Sequence, residues 1–244
     1  MHCELIVPGL FAQPSGAHAP SLELLLARGR GSSGESVSLE AWLQEAFGLE
    51  GAPLPAGALT GMRRGIEKES LRSQPSGGLA LTPHAAGLGS ALTHPHITTD
   101  YSESQLELIT GVHDDVDACL RELMQIHQVV YREIDGEMLW VGSMPCGLPA
   151  EGQIPIGRYG TSNVGRAKTV YRMGLAHRYG RRMQTISGIH YNWSLPERSN
   201  DDYFALVRSF RRNAWLLFYL FGASPAVCES FVSGNPGHGL QPLA

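Results

Sequence analysis

Acidic residues standing inside segments that otherwise alternate as buried strand constrain this chain more than any other feature. They are Glu67 and Glu69 in Gly65-Ile66-Glu67-Lys68-Glu69-Ser70-Leu71-Arg72, Asp100 in Ile97-Thr98-Thr99-Asp100-Tyr101, and Glu107 in Gln105-Leu106-Glu107-Leu108-Ile109-Thr110. Side chains at i and i+2 of a strand share a face, so Glu67 and Glu69 point together, and Glu107 interrupts an apolar run. Like charges converging in a core require a cation or protonation.

Around these segments the pattern predicts an α+β unit over residues 61–244 with mostly antiparallel strands. Glu67 to Arg72 reads as a strand, 73–78 as a turn and Leu79 to Thr82 as a returning strand. Further strands are expected at Leu106 to Val112, Met138 to Met144 and Ser187 to Leu195. Residues 114–134 carry Val116, Leu120, Leu123, Met124, His127, Val130 and Tyr131 at helical spacing, with Asp114 and Asp115 at the positive end of the dipole. A basic helix interrupted at Gly174 and Gly180 is expected over 165–182, and a last helix over 201–221. Residues 1–60, rich in Gly, Pro, Ala and Ser, read as a weakly ordered extension with a short strand from Leu5 and a helix over Ser38 to Phe47.

Charge narrows the function classes. The six acids and two arginines of residues 1–60 leave 17 acids facing 17 basic residues in the rest, which argues against a nucleic-acid scaffold held by bulk charge. The longest apolar run, Ala214 to Ala223, is too short to cross a bilayer. Four scattered cysteines, Cys3, Cys119, Cys146 and Cys228, with no CxxC pair and no cleavable signal, favour a reduced cytoplasmic protein without disulfides.

Glu67, Glu69, Asp100 and Glu107, with His190 on the face of Asn192, form a mainly oxygen-donor set of the kind Mg²⁺ accepts against nucleotide phosphates. The competing reading is a set of surface charges on exposed strand faces. Glu103 stands apart, because Asp100-x-x-Glu103 also fits a capping box. His94 and His96 with His190 admit a weaker zinc reading. Tyr159 to Arg166 is a Gly, Thr, Ser and Asn loop opening a helix, but it lacks the Gly-Lys-Ser/Thr ending of a P-loop. The following Arg166, Lys168, Arg172, Arg178, Arg181 and Arg182 read as a solvated basic face, from which one or two arginines could turn inward to a carboxylate or phosphate.

Seven blocks in order resemble the proteobacterial type of glutamate-cysteine ligase. They are Gly65 to Arg72, Gly89-Ser90-Ala91-Leu92-Thr93-His94, Ile97 to Tyr101, Ser143-Met144-Pro145-Cys146, Tyr159 to Asn163, Met183 to Asn192 and Phe221 to Ala226. The resemblance implies a fold related to the glutamine synthetase catalytic domain: an antiparallel sheet with flanking helices whose acids hold magnesium against ATP. It implies ATP-dependent joining of the γ-carboxyl of L-glutamate to the amine of L-cysteine through a γ-glutamyl phosphate, the first step of glutathione synthesis. Metal roles follow by motif position for Glu67, Glu69, Asp100, Glu107 and His190. A substrate pocket follows from Tyr101, Tyr171, Leu175, Gln184, Ile186 and Asn192, with Arg172 as the catalytic cation. No residue is assigned to the nucleotide base.

The family's catalytic domain is longer, and its later part supplies a further metal-binding glutamate and arginines. The chain therefore reads as the N-terminal portion of that domain, truncated at its C-terminus. Two alternatives follow: an inactive fragment that binds Mg-ATP, and a related carboxylate-amine ligase with another amine acceptor.

Overall fold

A computed structural model of the chain describes residues 3–6, 60–145, 147–221, 226–232, 237 and 241–243. Apart from Thr60, these fall in one compact unit. The main sheet contains β1 (Cys3–Ile6), β2 (Arg63–Ser73), β3 (Ile97–Thr99), β4 (Gln105–Ile109), β5 (Met138–Leu139) and β6 (Ile189–Ser194). Its order is β1-β6-β2-β4-β3, with β5 pairing to the far end of β2 and every pairing antiparallel. Among the described residues four α-helices accompany it: α1 (Val116–Glu133), α2 (Asn163–Tyr179), α3 (Asn200–Phe221) and the single turn α4 (Glu229–Val232). β7 (Ala226–Cys228) and β8 (Gln241–Leu243) form a separate parallel pair. No helix among the described residues is long and apolar enough to cross a membrane.

β2 sorts its residues by face because the strand period is two. Arg64, Ile66, Lys68, Ser70 and Arg72 lie on one side and Gly65, Glu67, Glu69 and Leu71 on the other. Ile66 joins the main apolar core with Leu106 and Leu108 of β4, Ile97 of β3, and Leu123, Ile126 and Val130 of α1. Burying that core beneath α1 is what fixes the sheet's register, since a slip by one residue would send Leu106 and Leu108 to the other face. The same alternation forces Glu67, Glu69 and Glu107 onto the opposite side. Lys68 pays for its place under α1 by desolvation, which pulls its pKa down to about 8, and its Nζ donates to Ser70 Oγ at 2.5 Å.

Arg72, 1% exposed, pins the end of β2. It donates to Glu137 Oε2 at 2.6 Å, to Thr82 Oγ1 at 2.5 Å, and to the carbonyls of Thr82 at 2.7 Å and Glu103 at 3.1 Å. Helix ends are set by caps. Asp115 Oδ2 accepts from Ala118 N at 2.6 Å to start α1, and Ser162 Oγ accepts from Gly165 N at 3.1 Å to start α2. At α3, Ser199 Oγ accepts from Asp202 N at 3.2 Å while Asp202 Oδ2 accepts from Ser199 N at 2.9 Å, a reciprocal capping box. Gly180, at φ +81°, ends α2 in the left-handed region where a side chain is strained.

Several expectations shift. The α1 core stripe is Cys119, Leu123, Ile126 and Val130, rotated from the expected face, so Val116, Leu120, Met124 and Tyr131 are exposed. Leu79 to Thr82 forms no strand beyond a single bridge from Leu79 to Ser73. β5 is short: Trp140 N still donates to Leu71 O at 2.7 Å, and beyond it the chain bends so that Trp140 Nε1 donates to Met144 O at 3.0 Å. α2 continues through Gly174. Cys3–Ile6 pairs with β6, so the sheet draws on residues from before the expected boundary at 60/61. Cys228 is disulfide-bonded, against the expectation of four reduced cysteines, whereas Cys119 is buried and free. The helix expected at Ser38 to Phe47 lies outside the described residues.

Candidate functional site

Strand register assembles the carboxylates. Glu69 stands directly opposite Glu107 on β4, and Glu67 directly opposite His190 on β6. Directly paired side chains on one face have Cβ atoms about 5 Å apart. Thr98 pairs with Glu107, and Asp100 follows β3 on the same alternation, held by its N–H to Gln105 O at 3.0 Å. Asn192, two residues beyond His190, donates from Nδ2 to Glu67 Oε1 at 3.0 Å.

Glu69 is held from three sides. Its Oε2 accepts from Gly188 N at 2.9 Å and Gln105 Nε2 at 3.3 Å, and its Oε1 lies 3.4 Å from His190 Nε2. Glu67 Oε2 lies 3.9 Å from His190 Nδ1. Burial, then the charge of Asp100, pushes Glu69 up to about 8 against the help of the Gly188 N–H. Burial, then Asp100 and Glu67, pushes Glu107 up to about 7. Burial raises Asp100 against the pull of Arg172 and Lys168, and lowers His190, keeping its imidazole neutral and able to ligate.

The donors fit a hard divalent cation. They are oxygen-rich, they repel one another, and neutralising that repulsion is what a bound cation does. As they stand, no group of three or more His, Cys, Asp or Glu among the described residues is close enough to hold an ion alone. Mg²⁺ needs no such cage, because it is commonly held by one or two carboxylates with substrate phosphates and water. The zinc alternative finds no support. His190 and His96 are separated by β2 and β4, about 14 Å at strand spacing. His94 Nδ1 accepts from His96 N at 3.1 Å and Ile97 N at 2.9 Å, and His96 Nδ1 lies 2.9 Å from Ile109 O.

α2 brings cations to the edge of the cluster. Arg172 donates through Nε to the Asp100 carbonyl and through Nη1 to Lys168 O at 3.1 Å. Its guanidinium lies 4.5 Å from the Tyr159 ring centre, and Lys168 Nζ lies 5.0 Å from it. Both cations pull down Asp100 and Glu107. Leu175 is half-buried one turn after Arg172, whereas Tyr171 is 64% exposed. Gln184 and Ile186 flank the buried Thr185 just before β6, and the Ile186 carbonyl accepts from Gln105 Nε2 at 3.4 Å. Tyr101 is buried, in the field of Arg181, Glu151 and Arg172.

Three contributors escape a reading by sequence alone. Gln105, on the face of Glu107, ties Glu69 to Ser187 Oγ at 3.3 Å; its place in the alternation with Glu107 was the available signal. Lys168 turns inward from a helix whose charges look solvated. Tyr159 carries both cations. A cleft of about 330 Å³ opens at the Gly65 end, lined by Gly65, Glu67, Ile109, Gly111 and Asn192 among others. A Cβ on Gly65 would stand 3.2 Å from Gly111 O, so a larger residue there would press on the backbone beside this cleft.

Known proteins share the pattern. The sequence profile of the family described as "Glutamate-cysteine ligase" matches residues 53–243. A glutamate--cysteine ligase of Alcanivorax borkumensis is 53% identical over 198 residues, covering 74% of this chain and 38% of the relative. One of Azotobacter vinelandii is 51% identical over 216 residues, covering 80% and 41%. The crystal structure of a glutamate--cysteine ligase from Francisella tularensis in complex with AMP superposes at a TM-score of 0.68 with 41% identity, covering 72% of this chain and 38% of that one. The chain thus spans about two-fifths of the length of the curated relatives it matches.

Proposed function

The chain belongs to the glutamate-cysteine ligase family, and from that premise we propose that its sheet supplies the metal-binding half of a site that joins the γ-carboxyl of L-glutamate to the amine of L-cysteine at the expense of ATP. The observation that carries this reading is the facing pair Glu69 and Glu107, raised to about 8 and about 7 by burial and by their acidic neighbours.

Glu67, Glu69, Asp100, Glu107 and His190 would hold Mg²⁺. Bound there, magnesium neutralises charge on the ATP phosphates. Phosphoryl transfer depends mainly on positioning and charge neutralisation, so this chain's residues act by orientation. The γ-carboxylate of glutamate attacks the terminal phosphorus of ATP, ADP leaves, and the cysteine amine then attacks the resulting acyl carbon and releases phosphate. Arg172, fixed to the Asp100 carbonyl and facing the acids, is suited to the charge on the transferred phosphoryl group. Asn192, anchored to Glu67, and Gln184 are suited to the polar ends of an amino acid, with Tyr171, Leu175, Ile186 and Tyr101 shaping the pocket. The reading carries a cytoplasmic location, where ATP is made, and a role in glutathione synthesis.

A second reading keeps the same acids but stops at binding of Mg-ATP without turnover. The test is release of ADP and formation of γ-glutamylcysteine by the purified chain given ATP, Mg²⁺, glutamate and cysteine. Matched release of both products supports catalysis. Mg-ATP binding abolished by Glu69→Gln, with no ADP formed, leaves the binding half alone. No Mg-ATP binding at all overturns the metal reading.

A further inference from the structure

We infer that Tyr159 is a positioning residue that holds Asp100 in the carboxylate cluster from behind; the inference rests on reading that cluster as a magnesium site. Tyr159 is buried, and its single hydroxyl proton is shared between the carbonyls of Thr99, at 2.5 Å, and Asp100, at 2.6 Å. The face of the same ring carries Arg172 and Lys168. One side chain thus touches the backbone of a metal-site acid and both cations that face it.

Tyr159 is itself locked in place. Residues 155–159 run alongside 99–103: Gly157 N donates to Tyr101 O at 2.9 Å, Ser102 Oγ to Pro155 O at 2.8 Å, and Arg158 N to Glu103 Oε2 at 2.7 Å. Thr169 Oγ1 of α2 donates to Gly157 O at 3.2 Å. A Cβ on Gly157 would stand 3.0 Å from the Tyr159 hydroxyl, and one on Gly165 would overlap the Tyr159 carbonyl at 2.3 Å. Only glycine at these two positions lets the ring settle so closely against the strap and the first turn of α2. Glu103, set aside at the sequence level, is therefore a brace for this strap, accepting from His84 N at 3.1 Å as well as from Arg158 N.

The clamp has a force to resist. Asp100 follows the last residue of the edge strand β3, tied to β4 through its N–H to Gln105 O at 3.0 Å, and repels Glu69 and Glu107. A carboxylate on the last rung of an edge strand swings away from like charges unless the carbonyl side of its backbone is held as well, and a swung carboxylate is lost as a ligand. Groups that orient metal ligands typically change metal affinity 10- to 100-fold when removed.

The test uses the full chain and Mn²⁺ as the probe, titrated by electron paramagnetic resonance with ATP present, alongside thermal unfolding. Tyr159→Phe keeps the ring for Arg172 and Lys168 but removes the hydroxyl; it is expected to weaken Mn²⁺ binding roughly tenfold with a cooperative melt retained. Asp100→Asn is expected to weaken it at least as much, and the double variant no more than Asp100→Asn alone, because both act on one carboxylate. If Tyr159→Phe unfolds, Thr169→Val loosens the strap without touching the phenol and is expected to weaken binding about threefold. Affinity within about twofold of the parent in the folded variant, against a large loss in Asp100→Asn, overturns the positioning role and leaves the magnesium reading standing. Mn²⁺ binding untouched by both Asp100→Asn and Glu69→Gln overturns the magnesium reading itself.

Discussion

On the sheet, Glu67, Glu69, Glu107 and His190 owe their places to ladder register, whereas Tyr171, Arg172 and Leu175 ride on a helix whose surface is mostly exposed. The first group cannot move without unpairing strands whose other face is the apolar core. The second is tied to the cluster mainly through Arg172 and through Thr169's bond to the strap. The contrast teaches that the geometry of the proposed metal site is a property of the core, while the proposed substrate-facing side depends on a few long polar contacts. α3 extends the contrast, with Phe218 75% and Tyr219 77% exposed.

The comparison can be broken most forcefully at Arg72. Arg72→Met leaves Glu137 buried without its cation, and removing one partner of a buried pair costs about 3–5 kcal/mol. Urea unfolding followed by circular dichroism is expected to show that loss; a change below about 1 kcal/mol would mean that β2 is not pinned by this network.

A smaller effect sharpens the electrostatics. Glu69 and Glu107 have raised folded-state pKa values, so the folded protein retains protons that the unfolded chain has released. Their stabilising contribution is complete near pH 4 and fades as pH rises towards 8. The half-buried His84, His127 and His190, all lowered, work the other way while the unfolded chain still holds part of their protons, and are neutral in both states above about pH 7.5. The melting temperature without metal is therefore expected to fall between about pH 7.5 and 8.5, and Mg²⁺ to restore it. Glu69→Gln is expected to raise stability at pH 8 by roughly 1–3 kcal/mol and flatten this slope. A slope unchanged by that substitution would sink the repulsion argument.

The smallest effect belongs to α3. Phe218→Ser and Tyr219→Ser are expected to shift unfolding free energy by less than about 0.5 kcal/mol, while lowering the binding of a hydrophobic dye. A destabilisation of about 2 kcal/mol or more would show that this helix is packed after all, and the contrast would narrow.

The carboxylate face was legible because strand alternation carries it: once Leu106 and Leu108 are buried, Glu107 has one direction left. The helical face was less legible. α1 carries two overlapping apolar stripes, and periodicity alone does not say that Cys119 and Ile126 pack inward while Met124 and Tyr131 do not. Gln105 and Tyr159 act through hydrogen bonds to residues tens of positions away, and Lys168 through a ring contact with Tyr159 that crosses from helix to loop; no helical or strand spacing encodes those.

The placing of β6 between β1 and β2 also has a consequence for the order of folding. β2 and β4 are close in sequence and can pair early, but Glu67 meets His190 only after more than a hundred intervening residues have been made. Closing so long a loop is slow, and contacts of this separation form late. On the ribosome the nascent chain would carry Glu67, Glu69 and Glu107 as an uncovered acidic strand pair until β6 emerges, so newly made chains are expected to gain tight metal binding in a final, separate step.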